Sequence, residues 1–395
     1  MGVGLRHRYL HCLLAGLLLV AALLHVQSAS GQSDQTAGAP GNLAAATEQY
    51  RHALDAYNAS HDRYTAVANA YWSSITDKRK LRNSKRAAGE ALAIDDYVLD
   101  QPPVYTGPPK PRNPLKPETP GRRATVPVVA DFVVAAQQQF NFVPRIPQND
   151  IQFKQVYAQV ARAAGLTRDQ VVRIYSFEAT GNGSYDVEAG LEYNKHARAI
   201  TTALGYNQLL ATNSVEIVAE KGRQFIDEFR TEASTLKDGQ RQALESKIEA
   251  LRKMVAFARS VPDDWNQHEI LANTEKGLGV HALNLDIDVG PLLQTQKLLD
   301  SVVFARRKGV TRTLTAAELE MMNLTGDGNG FDIVTMPQQW REQVPTSNFF
   351  RPSGYFDNPV AQRNNVVAKL IAATDARMDE ETKKQGAKDL AAALR

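Results

Sequence analysis

The chain has 395 residues, with 46 Lys and Arg against 43 Asp and Glu, a formal charge of +3, and a single cysteine. So small an excess of positive charge, spread over such a length, excludes a dedicated nucleic-acid binder. One cysteine excludes a disulfide framework, so a hydrophobic core must hold the one large domain or two moderate ones that this length allows.

The first element is a signal peptide over residues 1–30. Arg6 and Arg8 precede an apolar run from Leu13 to Leu24, and Ser28-Ala29-Ser30 supplies small residues before Gly31. The apolar run is shorter than the roughly 20 residues a permanent span needs. The expected mature protein is therefore periplasmic or secreted, with no integral membrane segment after cleavage. Residues 31–42 are small and polar and read as a disordered leader.

Residues 43–100 form an N-terminal helical segment. Tyr50, Tyr57, Tyr64 and Tyr71 recur every seven residues, each followed four positions later by Leu54, His61, Ala68 or Ile75. That spacing lays one aromatic stripe along a helix, expected to pack against the main domain. Left exposed, the stripe would instead serve an envelope protein partner. Lys78, Arg79, Lys80, Arg82, Lys85 and Arg86 follow, and read as a solvated helix face, with attraction to an anionic envelope polymer as the functional option. Residues 101–124 are proline-rich and can be neither helix nor central strand, so they are expected to run as an extended strap.

The main domain is expected over 125–380, and from Asp150 the periodicity is helical almost throughout, which sets the fold class as all-α. Phe153, Val156, Tyr157, Val160 and Ala164 share a face. Thr167 and Gln170, and later Thr315 and Glu318, make capping boxes. Helices are expected near Ser214–Ala233, Arg241–Val261, Gly290–Arg307, Thr315–Asn323 and Pro359–Met378, with 381–395 as a tail.

The chemistry concentrates where an apolar helix ends in one glutamate, Glu178, followed at once by Ala179-Thr180-Gly181-Asn182-Gly183. A carboxyl there lies at the edge of the core, sheltered by Tyr175 and Phe177 and near the negative end of the helix dipole. Both effects disfavour its charged form and suit a general acid. The stretch "AAGLTRDQVVRIYSFEATGNG" resembles the helix that carries the catalytic glutamate of lytic transglycosylases and goose-type lysozymes. The stretch "ALGYNQLLATNS" resembles their second motif, in which a glycine, two residues and a glutamine line the sugar groove. The likeness spans Ala164–Ser214. It implies a lysozyme-like helical domain, with Glu178 as catalytic acid and Gly205, Tyr206, Asn207 and Gln208 as substrate-binding residues. Tyr206 and Asn207 stand where the family carries an apolar pair, Ala179 where a serine often follows the glutamate, and Tyr185–His196 is an apparent insertion. Tyr355, in Gly354–Pro359, is placed as a further groove residue.

The resemblance implies peptidoglycan glycan strands as partner and no cofactor. A transglycosylase needs no second carboxylate, whereas an inverting lysozyme does, about 6.5–9.5 Å away across the sugar. Asp186 and Glu188 are the candidates on the adjoining loop, although a solvated, glycine-flanked acidic loop explains them better, and the reading leans to a transglycosylase. Asn323–Val334 has the look of a calcium loop but lacks an acidic twelfth residue, so it reads as a helix-terminating turn, and no metal site is expected. His268 and His281 have no metal-like spacing. The alternative is a non-enzymatic periplasmic protein that binds glycan or a protein partner on the same scaffold.

Overall fold

A computed structural model describes residues 40–116, 125–191 and 199–395, with the side chains of 40–42 excepted. The signal peptide, most of the leader and the end of the proline segment lie outside the described residues. The described residues are 67% helical with essentially no strands among them, an all-α fold. It divides into two compact units, one built on Thr125–Glu342 and Phe349–Arg395, the other on the chain before Thr125 together with Gln343–Asn348.

The smaller unit contains α1 (Pro40–Ala88), a 3-10 turn at Ile94–Asp96 and the extended proline-rich segment. The tyrosine stripe of α1 is covered from within this unit. Tyr105 of the proline segment meets the rings of Tyr57, His61 and Tyr64, and the Tyr71 hydroxyl reaches Ser347 Oγ at 2.7 Å and donates to the Asp100 carbonyl. Its cover thus comes from the strap at Tyr57, His61 and Tyr64 and, at Tyr71, from Ser347, which lies inside the 125–380 range expected for the main domain. The strap comes so close at Gly107 that a Cβ there would overlap the Ser60 hydroxyl.

The basic cluster also departs from its expected role as a solvated face. Lys85 pairs with Asp96 at 2.7 Å, Lys78 donates to the Asp95 carbonyl, and Arg79 and Arg82 donate to the Asn348 carbonyl. Arg82 is fully buried, 4.5 Å over the Tyr97 ring, and its guanidinium also reaches the Asp96 carbonyl. Asn348 completes this centre by holding the backbone N–H and C=O of Val98 with one side-chain amide. Burying a guanidinium is tolerable only when its donors are used this fully.

The larger unit carries the remaining helices. They are α2 (Val129–Phe140), α3 (Asp150–Ala163), α4 (Arg168–Glu178), α5 (Ala211–Ala233), α6 (Asp238–Ala258), α7 (Trp265–Ala272) and α8 (Glu275–His281). The chain continues through α9 (Gly290–Arg307), α10 (Ala316–Thr325), α11 (Asp327–Thr335), α12 (Gln338–Arg341), α13 (Pro352–Phe356), α14 (Pro359–Arg363), α15 (Val367–Glu381) and α16 (Gln385–Ala393). One helix expected from Pro359 to Met378 is in fact α14 and α15, separated at Asn364–Val366. The expected tail is α16, whose Ala387 and Leu390 are fully buried. Asn323–Val334 holds the end of α10 and most of α11, joined by Gly326 at φ 81°, so it is a one-residue helix junction rather than an ion-binding loop.

Two apolar clusters fill this unit. One joins α2, α5, α6 and α8 around Phe132, Val218, Leu251 and Val280. The other joins α3, α4, α9, α10, α15 and α16 around Phe153, Ile174, Leu298, Leu319 and Met378. The turn Leu204–Leu209 lies where they meet, since Leu204 and Leu209 belong to the first and Tyr206 to the second.

Candidate active site

The helix α4 starts as its sequence dictates. Thr167 Oγ1 accepts from the Gln170 N–H at 3.2 Å, Gln170 Oε1 accepts from the Thr167 N–H at 3.0 Å, and Gln170 Nε2 donates to the Leu314 carbonyl. Three turns on, the helix ends at Glu178. Thr180 and Gly181 follow with φ of 59° and 66°, reversing the chain, and the Tyr175 hydroxyl donates to the Gly183 carbonyl at 2.7 Å to hold the reversal. A side chain at Gly181 would strike the Glu381 carbonyl, so the turn is seated against the end of α15.

Glu178 is 7% exposed, deeper than the half-sheltered position its sequence suggested. Its shelter also differs from the expectation. Tyr175 faces Tyr206 and Phe177 lies under Arg377, while α10 brings Glu320 and Asn323 to the carboxyl. Asn323 Nδ2 donates to Glu178 Oε1 at 2.8 Å and, more weakly, to Glu320 Oε2 at 3.4 Å. Glu320 is 0% exposed, and its Oε1 and the Asn323 Oδ1 have no hydrogen-bond partner.

Burial, then the Glu320 charge and a hydrogen bond from the Glu178 carboxyl to Glu320, push the Glu178 pKa well above the ordinary 4.5. Burial also pushes Glu320 up, to about 7, although the bonds from Glu178 and Asn323 and the charge of Lys297 pull it back down. The arrangement therefore favours the neutral, proton-bearing form of the carboxyl at the end of α4. A group in that state can donate a proton to a leaving oxygen.

Glu320 and Asn323 were not singled out in the sequence, yet a signal for them was present. Every residue of α10, Ala316 to Thr325, is buried. A helix apolar on all sides is a buried one, and the carboxylates it carries are buried with it. Its other acid, Glu318, is a conventional ion pair. Burial pushes it up, but bonds from Arg312 at 2.6 and 2.7 Å and from the Thr315 N–H outweigh that and hold it below the ordinary value.

Gly205, Tyr206, Asn207 and Gln208 do form one tight turn, closed by paired hydrogen bonds between Leu204 and Leu209. Most of their polar groups are spent inside the protein rather than presented to a groove, although the buried Asn207 Oδ1 has no hydrogen-bond partner. The Tyr206 hydroxyl donates to Asp150 Oδ1 at 2.6 Å, Asn207 Nδ2 donates to Tyr157 Oη and the Gln294 carbonyl, and Gln208 Nε2 donates to the Val187 and Gly205 carbonyls. Tyr355 is likewise buried, with its ring against Phe350 and Phe356. Of the two loop acids, Asp186 is exposed and accepts from Ser184 Oγ, while Glu188 Oε1 accepts from the Val129 N–H and so caps α2. Part of the apparent insertion, 192–196, lies outside the described residues.

Gly205 sits at φ 86°, with Gln294 Nε2 2.5 Å from where a Cβ would be. Gln294 is itself committed, to the Leu204 carbonyl, Asn284 Oδ1 and the Asn207 N–H. Gly205→Ala is therefore expected to lower stability by about 1–3 kcal/mol, through strain at positive φ and a displaced Gln294. Urea unfolding of the variant checks this, and a loss below a few tenths of a kcal/mol, on the order of an exposed substitution, would contradict it.

His281 is fully buried beside Ser214, 2.8 Å from Nδ1 to Oγ, with Nε2 2.7 Å from the Thr202 carbonyl. Burial holds it down at about 4, so it is neutral. Asn284 Nδ2 also donates to Ser214 Oγ, and the trio ties α5 and α8 to the loop before Leu204. Among the described residues no group of three His, Cys, Asp or Glu is disposed to hold a metal ion.

No protein-family model, curated protein or solved structure matches the chain.

Proposed function

We propose that the protein is an exported enzyme that cleaves peptidoglycan glycan strands as a lytic transglycosylase, with Glu178 as acid and then base. One observation carries this reading. A carboxyl at the end of α4 is buried against a second carboxyl and an amide, an environment that favours its protonated form. The two sequence motifs around Glu178 and Gly205–Gln208 give the substrate class.

Glu178 donates its proton to the oxygen linking two amino sugars. The C1–O bond breaks with its electron pair going to that oxygen, leaving an oxocarbenium-like centre. The carboxylate then takes the proton of the same sugar's 6-hydroxyl as O6 closes on C1, which gives a 1,6-anhydro end and restores the acid. A hydrolytic route is less well supported. Asp186 and Glu188 are engaged elsewhere, and Glu320 and Glu178 are bridged by one nitrogen, Asn323 Nδ2, at 3.4 and 2.8 Å, inside the gap of about 6.5–9.5 Å that a water-activating pair needs.

The test is incubation of the mature protein with peptidoglycan sacculi and mass spectrometry of what is released. Wild type is expected to release anhydro-ended fragments, and Glu178→Gln to release them roughly 10²–10⁴ times more slowly. Equal release by both proteins would remove Glu178 from the mechanism.

The burial of Tyr206, Asn207 and Gln208 favours a second reading, a non-enzymatic periplasmic protein that binds glycan or a protein partner. Wild-type protein that co-sediments with sacculi and releases nothing is the result that would select it.

A further inference from the structure

We infer that Glu178 and Glu320 share a single proton, and that Glu320 is the positioning residue that lets one carboxyl serve first as acid and then as base. The chemical half of this inference rests on the glycan-cleavage reading above, and the shared proton does not.

The geometry comes first. One amide nitrogen, Asn323 Nδ2, reaches both carboxyls, at 2.8 Å and 3.4 Å, so the two are neighbours in one buried group. Glu320 has no exposed surface, and its Oε1 lacks any hydrogen-bond donor. A buried carboxylate oxygen left without a donor is costly, and buried polar atoms nearly always find one. A proton carried by Glu178 is the missing donor. Counting charge gives the same answer. Two carboxylates side by side in a buried site would repel strongly. Two neutral acids would give up the attraction of the nearby cations Lys297, on α9, and Arg377, on α15, both of which favour negative charge here. Glu381, at the end of α15, is turned to Arg377 and Lys384 instead. On α3, Lys154 faces the rings of Tyr175 and Tyr206. One proton and one negative charge is the state that gives Glu320 Oε1 a donor and keeps the attraction of both cations.

That state has a consequence for the reaction. At rest, the negative Glu320 raises the affinity of Glu178 for its proton, so an acid persists in neutral solution. When the proton passes to the glycosidic oxygen, two negative carboxyls face each other, and the pair strongly prefers to regain one. The nearest source is the 6-hydroxyl. Its proton returns to the pair while the O6 electron pair forms the new bond to C1. The sequence starts and ends with one proton and uses no water.

The experiment is a carboxyl carbon-13 NMR titration of the full mature chain, labelled at glutamate, for wild type, Glu320→Gln and Glu178→Gln. The pH profile of sacculus cleavage is measured on the same samples. Wild type is expected to show one carboxyl still protonated past neutrality, its titration coupled to that of a second. In Glu320→Gln the Glu178 step is expected to fall by at least tenfold in proton affinity. The basic limb of the cleavage profile should move to lower pH with it, with KM unchanged, because Glu320 has no surface with which to touch substrate. Two glutamates titrating independently near 4.5, or a Glu178 step and profile unmoved by Glu320→Gln, would overturn the inference. A coupled titration in a wild type that cleaves nothing would uphold the shared proton and sink the glycan reading alone.

Discussion

Glu320→Gln is expected to make the protein more stable in mildly alkaline solution, even though it removes a fully buried hydrogen-bonding group from the core. Glu320 is raised from 4.5 to about 7 by burial. A carboxyl whose folded-state pKa lies above its unfolded one binds more protons in the folded state. Its contribution is therefore fully present below the unfolded value and is lost as pH rises through the folded one. The window here runs from roughly pH 4.5 to 7, and at about 1.4 kcal/mol per pKa unit the wild type gives up on the order of 3 kcal/mol across it. Glutamine has the same shape, never ionises, and can donate its amide to Glu178, so the variant avoids this loss.

Urea unfolding at about pH 4.5 and about pH 8 tests the point. The variant should match wild type at the lower pH and exceed it by about 3 kcal/mol at the higher. Equal stability at both would mean that Glu320 ionises without penalty, and the account of the acid pair would fail with it. A gain in stability on removing an ionisable group also separates a functional group from a structural one, because sites kept for chemistry are commonly held at a cost to the fold.

The sequence made α4 and its terminal glutamate legible because the signals are local. A threonine and a glutamine three residues apart set the start, and a glycine-containing turn sets the end. The same holds for α9, where the expected Gly290–Arg307 coincides with the observed helix and Pro291 occupies its first turn. What the sequence hid was everything that depends on which segment meets which. Nothing local ties Glu320 to Glu178, since α10 supplies that contact from more than a hundred residues away. The cover of the tyrosine stripe was hidden for the same reason. An extended proline segment has no periodicity to announce that Tyr105 will lie over Tyr57 and Tyr64. The last helix was misread as a tail because it is short and rich in alanine, although Ala387 and Leu390 are spaced to share a face. Tyr206, Asn207 and Gln208 were legible as a turn. Their burial was not, because it is fixed by Asp150, Tyr157 and Gln294 in three separate places along the chain.

That turn supplies the last expected result, an asymmetry between two neighbours on α3. Lys154 is 1% exposed, paired with Asp150, and lies 5.2 Å from the ring centres of both Tyr175 and Tyr206. Asp150 also accepts from the Tyr206 hydroxyl and from the Tyr185 N–H at 3.1 Å, and unlike Lys154 it keeps partial contact with solvent. Removing one partner is therefore not equivalent to removing the other. Asp150→Ala strands a buried ammonium and frees the Tyr206 hydroxyl, and should lower stability by about 3–5 kcal/mol. Lys154→Met keeps the packing volume and leaves Asp150 with two donors and some water, so it should change stability by less than about 1.5 kcal/mol. The pH dependence gives an independent check. Burial already holds Lys154 down at about 8, against the ordinary 10.5. A lysine lowered on folding binds fewer protons in the folded state, so its contribution is present above the unfolded value and lost as pH falls through the folded one. Without Asp150 the lysine should be lowered further, so the loss on acidification would continue to more acidic pH in Asp150→Ala than in wild type. Urea unfolding of the three proteins across that range decides the matter, and a Lys154→Met variant as damaged as Asp150→Ala would show that the ion pair, not the burial of an unpaired charge, governs this part of the fold.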